Sequence, residues 1–140
     1  MKRILVCLDK SPLAEDVHRT ALETARANHA KIRLFRVVEG GGERPEPNDV
    51  LIKNAKAELD RIGRNDPSDL SAGSSIVIGE APWKAICAAA REENADLIVI
   101  GAHSHGTIAR ALGTTAAKVV NHADRSVLVV RPGGAPVVVG

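Results

Sequence analysis

The residues of this chain best equipped for chemistry lie between Leu97 and Pro132. The segment reads LIVIGAHSHGTIARALGTTAAKVVNHADRSVLVVRP: an apolar strand, a loop rich in glycine and histidine, a short helix, and a second apolar strand. A helix starting behind such a loop presents backbone N–H groups that lack an intrahelical acceptor, and its dipole adds positive potential there. The pattern therefore points to a cradle for an anion, above all a phosphate. Gly101 ends a strand of bulky residues, where a missing side chain would let a ligand approach the backbone. Gly113 precedes Thr114 and Thr115, which makes Thr114 a natural N-cap with a hydroxyl beside free amides. The plainer alternative is that the two glycines punctuate a loop and Thr114 caps only its own helix.

Asp9 stands where an apolar strand meets a capped helix. A carboxylate there can accept from a ribose hydroxyl or hold a divalent cation against phosphates, or it can simply bond the turn at Lys10 and Ser11. His103 and His105 form an H-x-H pair, but a metal site needs a third ligand and the spacing positions none, so polar contact with phosphate or solvent is expected. His18, His29 and His122 fall on helix faces or ends and read as surface or capping groups. No nucleophilic constellation is visible: there is no G-x-S-x-G elbow, no Walker lysine, and no histidine set against either cysteine. General acid–base work would rest on Asp9 or a loop histidine without a partner.

These residues need a scaffold. Ile4–Leu8 is a compact apolar run, a buried strand ending at Asp9. Ser11 and Pro12 fit the N-cap and first position of a helix, with Glu15 and Asp16 in its first turn. Leu13, Val17, Ala21 and Ala25 form its apolar stripe, and Asn28 closes it. Ile32–Val38 is a second strand, in which Arg33 and Arg36 predict more exposure than in the first. After the loop Gly40–Pro47, a helix over Asp49–Arg64 turns Val50, Ile52, Ala55, Leu59 and Ile62 inward. Ser75–Ile78 is a third strand. Pro82 opens a helix to about Asn94, Leu97–Ile100 is a fourth strand, Thr114–His122 a short helix, and Val127–Val130 a fifth strand. Asp124 and Arg125 make the turn before it.

Strand and helix alternate throughout, which demands an α/β domain with a mostly parallel sheet and helices on both faces. In such sheets ligands sit beyond the carboxyl ends of the strands, where strand order reverses. Asp9 and the Gly101 loop both follow strands directly, so both belong at that edge.

Composition narrows the function. A net charge of +2 with dispersed basic residues gives no footprint for nucleic acid. Phe35 and Trp83 are the only aromatic residues, so the core must be aliphatic and no platform exists for stacking bases. The six apolar residues before Asp9 are too few for a signal peptide, and no apolar run approaches the ~20 residues of a membrane span. A soluble, cytoplasmic protein with no membrane or nucleic-acid partner is expected. Cys7 and Cys87 lie in apolar stretches at no metal or redox spacing and read as buried thiols.

With these residues in hand, the chain resembles the universal stress protein family over nearly its whole length. The likeness rests on KRILVCLDKS at the start, RLFRVVE at the second strand, DLIVIGAHSHG at the fourth, and GTTAAKVVNHADRSVLVVR at the end. The resemblance implies one domain over residues 1–140, with a five-stranded parallel sheet of the Rossmann-like, adenine nucleotide alpha-hydrolase type. It also implies a homodimer joined through the last strand, and roles that are mostly not catalytic. The family divides by a phosphate motif, G-x2-G-x9-G-[ST], whose carriers bind ATP or related adenine nucleotides. Here Gly101 takes the first position, Ser104 stands in place of the second glycine, and Gly113 with Thr114 completes the motif after eight intervening residues instead of nine. Ser104 can still present an amide and adds a hydroxyl, but positive φ is costly for it, and Gly106 could take over the close approach.

Carried over residue by residue, the resemblance puts Asp9 on the ribose or a metal and the Val37 backbone on the adenine edge. Gly101, Gly113, Thr114 and the Thr115 amide attend ribose and phosphates, with Ser104 and Gly106 as substitutes in the loop. The implied ligand is ATP or another adenine nucleotide, with Mg2+ or Mn2+ where a cation accompanies the phosphates. The expected function is a nucleotide-responsive stress or signalling switch, at most a slow ATP hydrolase. The competing expectation is a dimeric interaction protein with a vestigial pocket, which Ser104 and the shortened loop favour.

Overall fold

A computed structural model describes residues 1–39, 47–102 and 112–132. Along the chain run β1 (Arg3–Cys7), α1 (Ala14–Asn28), β2 (Lys31–Val38), α2 (Asn48–Gly63), β3 (Ser71–Ile78), α3 (Pro82–Glu92), β4 (Leu97–Gly101), α4 (Thr114–His122) and β5 (Ser126–Val130). All strand pairs are parallel, in the order β3-β2-β1-β4-β5. The chain builds outward from β1 to β3, then crosses back to set β4 on the other side of β1. Strand order therefore reverses between β1 and β4.

The pleat sorts side chains onto two faces. Ile4, Val6, Ile32, Leu34, Leu97 and Val99 pack against Val17, Ala21 and Ala25 of α1 and Leu59 of α2. Leu5, Phe35, Ile98, Ile100 and Val129 pack against Ile86 and Ala90 of α3 and Ala116 and Val119 of α4. Strands covered on both sides need unbroken apolar runs, and β1 and β4 have them. Both cysteines are buried and free.

Several expectations need correction. Helix α1 begins at Ala14, because Ser11 spends its hydroxyl and carbonyl on a preceding turn, accepting from the N–H groups of Leu13 and Ala14, each at 3.2 Å. Asn28 does close the helix as expected, and His29 caps it in the left-handed position with φ 53°. His18 is not a surface group: its Nε2 lies 2.8 and 3.0 Å from the Asp66 carboxylate oxygens, largely out of solvent. His122 does end α4 at the surface as expected, where it also stacks on Trp83 with ring centroids 4.4 Å apart.

In α2 only Ala55 and Leu59 are fully buried, while Val50 and Ile52 remain 38% and 39% exposed. Leu51, which lies between them, is half-buried instead. Strand β3 starts at Ser71, four polar or small residues before its apolar signal, pairing with β2 across a register shift between Ile32 and Leu34. The expected exposure of Arg36 is wrong outright: it is 4% exposed. Asp124 and Arg125 do form the turn, paired at 2.9 Å, and Arg125 Nη1 also donates to the carbonyls of Ala90 and Ala95.

Candidate functional site

At the carboxyl edge of the sheet, where strand order reverses, lies a cleft of about 650 Å³. That volume falls within the range of small-molecule sites. Its polar rim comes from Asp9–Ser11 after β1 and from Gly113–Thr115 at the start of α4, and its apolar wall from Phe35 and Val37 of β2, Ile86 of α3 and Ile100 of β4. The sequence-predicted residues Asp9, Val37, Gly101, Gly113, Thr114 and Thr115 all line this one cleft. Ser104 and Gly106, with His103 and His105, lie outside the described residues.

The Asp9 carboxylate accepts from the Ser11 N–H at 2.9 Å through Oδ1. The turn bond expected at Lys10 and Ser11 is thus present, and Asp9 is also among the residues that line the cleft. At the opposite wall, the N-cap of α4 is Gly113, in ordinary extended geometry (φ −61°, ψ 160°), with no side-chain capping hydrogen bond. Thr114 is the first helical residue and not the cap, because the chain already enters the helix at its φ and ψ. The first intrahelical bond runs from Ala117 N–H to the Gly113 carbonyl at 2.9 Å. The amides of Thr114, Thr115 and Ala116 precede it, and they are the donors a helix start offers to an anion.

Val37 enters through its backbone. Pairing of β1 with β2 ends at Cys7↔Phe35, with a last bond from Leu8 N–H to the Phe35 carbonyl at 2.9 Å. By the two-residue period of a strand, the N–H and C=O of Val37 face the same side as those of Phe35, beyond the end of the ladder. They form a donor and acceptor pair at the cleft wall.

Gly101 has a different reason from the one its sequence position suggests. A Cβ there would meet Val17 Cγ2 at 3.1 Å and Leu13 Cβ and Cδ1 at 3.5 Å. The missing side chain makes room for α1 on the far face of β4, while the Gly101 backbone borders the cleft.

Arg36 was invisible to pattern reading, since an arginine in a strand reads as a solvated position. Its Nε donates to the Leu8 carbonyl at 3.0 Å, its Nη2 to the Asp9 carbonyl at 3.1 Å, and its Nη1 pairs with Glu58 of α2. Phe35, by contrast, could have been found: it shares a face with Val37 by strand alternation.

Burial pushes the Cys7 thiol up, helped by the nearby Cys87 and Asp9, and burial likewise raises Cys87 against the pull of Arg91. A thiol held neutral is a poor nucleophile. Among the described residues no three His, Cys, Asp or Glu side chains converge in a metal-binding group. No helix among them is long and apolar enough to cross a membrane. The arrangement can hold a ligand with an anionic end at α4, hydroxyls at Asp9, and a flat apolar part against Phe35, Ile86 and the Val37 backbone.

Comparison with known proteins agrees with this frame. A family model described as the universal stress protein family matches residues 1–131. The chain is 28% identical to universal stress protein A homolog 1 of Coxiella burnetii, over 92% of this chain and 95% of that one. It is similar in structure to the universal stress protein of Archaeoglobus fulgidus in complex with dAMP, with TM-score 0.69 and 26% identity over 94% of this chain and 98% of that one. It is also similar to a universal stress protein solved in complex with cAMP, with TM-score 0.67 and 26% identity over 93% and 97% of the two chains. A parallel sheet ordered β3-β2-β1-β4-β5, with its cleft at the switch point and a family model spanning almost every residue, leads to one assignment: the chain belongs to the universal stress protein family.

Proposed function

We propose that this protein binds an adenine nucleotide, ATP foremost, in the cleft between the ends of β1 and β4, and that occupancy works as a stress or signalling switch without turnover. One observation carries the reading: Gly113–Thr115 at the start of α4, Asp9 and Val37 line a single cleft. These are a phosphate site, a hydroxyl acceptor and a base-edge pair, in the order of a nucleotide's own parts. The dAMP and cAMP complexes of similar proteins support adenine as the base. Mg2+ or Mn2+, where it accompanies the phosphates, would be held by their oxygens. Among the described lining residues the one thiol, Cys7, is held neutral by burial.

Among the described strands β5 lies at the edge of the sheet, and its Val127 and Leu128 are only half-buried. It is the surface through which we propose a homodimer forms. The tail from Ala135 to Gly140, which could extend that contact, lies outside the described residues. A cytoplasmic location accords with two buried free thiols.

The test is thermal unfolding with and without ATP. A ligand bound only by the folded state stabilises it by mass action, by about 2.7 kcal/mol at a hundred times Kd, and so raises the melting temperature. Asp9→Ala, at an exposed position, keeps the fold and weakens ATP about ten- to a hundredfold. Gly113→Val abolishes the shift. No shift for the wild-type protein at millimolar ATP, with or without Mg2+, refutes the proposal and leaves the interaction protein with a vestigial pocket.

A further inference from the structure

Arg36 is a buried charge, at 4% exposure. It reaches from β2 to the segment that presents Asp9. A guanidinium out of water is costly unless each edge of its fork is engaged. Here all three are: Leu8 carbonyl at 3.0 Å, Asp9 carbonyl at 3.1 Å, and the Glu58 carboxylate. The two carbonyls flank the Asp9 Cα, so the peptide planes on both sides of Asp9 are held by one rigid group. In a parallel ladder continued by one step, the Leu8 carbonyl would accept from the Val37 N–H. Arg36 accepts that role of partner to Leu8, and the ladder stops at Cys7↔Phe35.

We propose that Arg36, anchored by Glu58, is the positioning residue for the sugar and base of the nucleotide, an inference that rests on the nucleotide reading above. It fixes Asp9 for a ribose hydroxyl, and by engaging the Leu8 carbonyl it leaves the Val37 backbone for the base. Planarity and three-edged donation are essential, which a lysine ammonium cannot reproduce at this site. The phosphate end, at α4, is untouched by it.

The experiment measures affinity for ATP and for 2′,3′-dideoxy-ATP in the wild-type protein and in Arg36→Met, Arg36→Lys and Glu58→Gln, alongside equilibrium unfolding. The wild-type protein prefers ATP by about tenfold, the worth of one charge-assisted hydrogen bond. The preference collapses to near unity in Arg36→Met and falls to an intermediate value in Arg36→Lys and Glu58→Gln. A purely structural role would lower stability and both affinities together with the ratio unchanged, which overturns the proposal, as does a wild-type ratio of one. If Arg36→Met does not fold, Glu58→Gln decides by the same ratio, since Glu58 is partly exposed. If the wild-type protein binds no ATP, the nucleotide reading fails by itself. Hydrogen exchange of the Ser11 amide then decides the clamp: exchange about tenfold faster in Arg36→Lys upholds it, and unchanged protection overturns it.

Discussion

Gly101→Ala separates two reasons for a glycine at the end of β4. If the missing side chain serves a ligand, alanine should cost affinity and leave the fold alone. The geometry says the reverse. The new Cβ would lie 3.1 Å from Val17 Cγ2 and 3.5 Å from two carbons of Leu13, on the α1 side of the sheet. Carbon atoms pack without strain at about 3.5–4.0 Å, so the Leu13 contacts are acceptable and the Val17 contact is short by several tenths of an ångström. Val17 cannot yield easily: it is 2% exposed, and a valine in a helix is confined to one χ1 well. The strain must move α1 or β4, and overpacking of this kind costs about 1–3 kcal/mol. For a domain of this size that is about 3–10 °C in melting temperature. Urea unfolding and ATP titration on the same sample are the assay. Unchanged stability with lost ATP affinity would refute the packing argument and restore the ligand-approach role.

Three further outcomes follow from contacts away from the cleft. His18→Leu leaves the Asp66 carboxylate, itself 5% exposed, without its partner; unfolding should show a loss of about 3 kcal/mol, and His18→Leu with Asp66→Leu should lose less than the sum of the singles. The raised Cys7 and Cys87 thiols stay protonated at pH 8, so a thiol reagent should label neither in the native protein and both in urea; rapid native labelling would contradict the burial argument. Hydrogen bonds from the Lys2 and Arg3 amides hold the Asp96 carboxyl below the usual aspartate range. A depressed folded-state value adds stability that is complete above the ordinary aspartate value of about 3.9 and is lost as pH falls through the folded one; in melting curves between pH 6 and 3, Asp96→Asn should flatten this acid limb.

The element order was legible because burial on two faces leaves a strong mark on composition. ILVCL and LIVIG are unbroken apolar runs, and the α1 stripe of Val17, Ala21 and Ala25 recurs every fourth residue. Alternation of such elements leaves few topologies, and Asp9 and Gly101, each at or just past the end of a strand, had to reach the same edge of the sheet. Where local pattern was weak, reading failed. Ser71–Ser74 carries no apolar signal, and only pairing with β2 makes it a strand. Val50 and Ile52 fit a helix, yet spacing alone does not say which of its apolar residues the sheet covers.

The sequence alone determined the parallel α/β architecture and the edge that carries the cleft, since these depend on periodicity and chain order, while residue types and the family resemblance together named six of the residues that line it. Tertiary structure alone decided what the individual side chains do there. It made Gly101 a packing residue for Val17, gave the N-cap of α4 to Gly113, and buried Arg36 beneath Asp9. Those assignments turn on distances between segments far apart in the chain. Residues 36 and 58 carry no mark of each other until β2 and α2 pack, because a guanidinium is identified by the acceptors it meets and not by its neighbours in sequence.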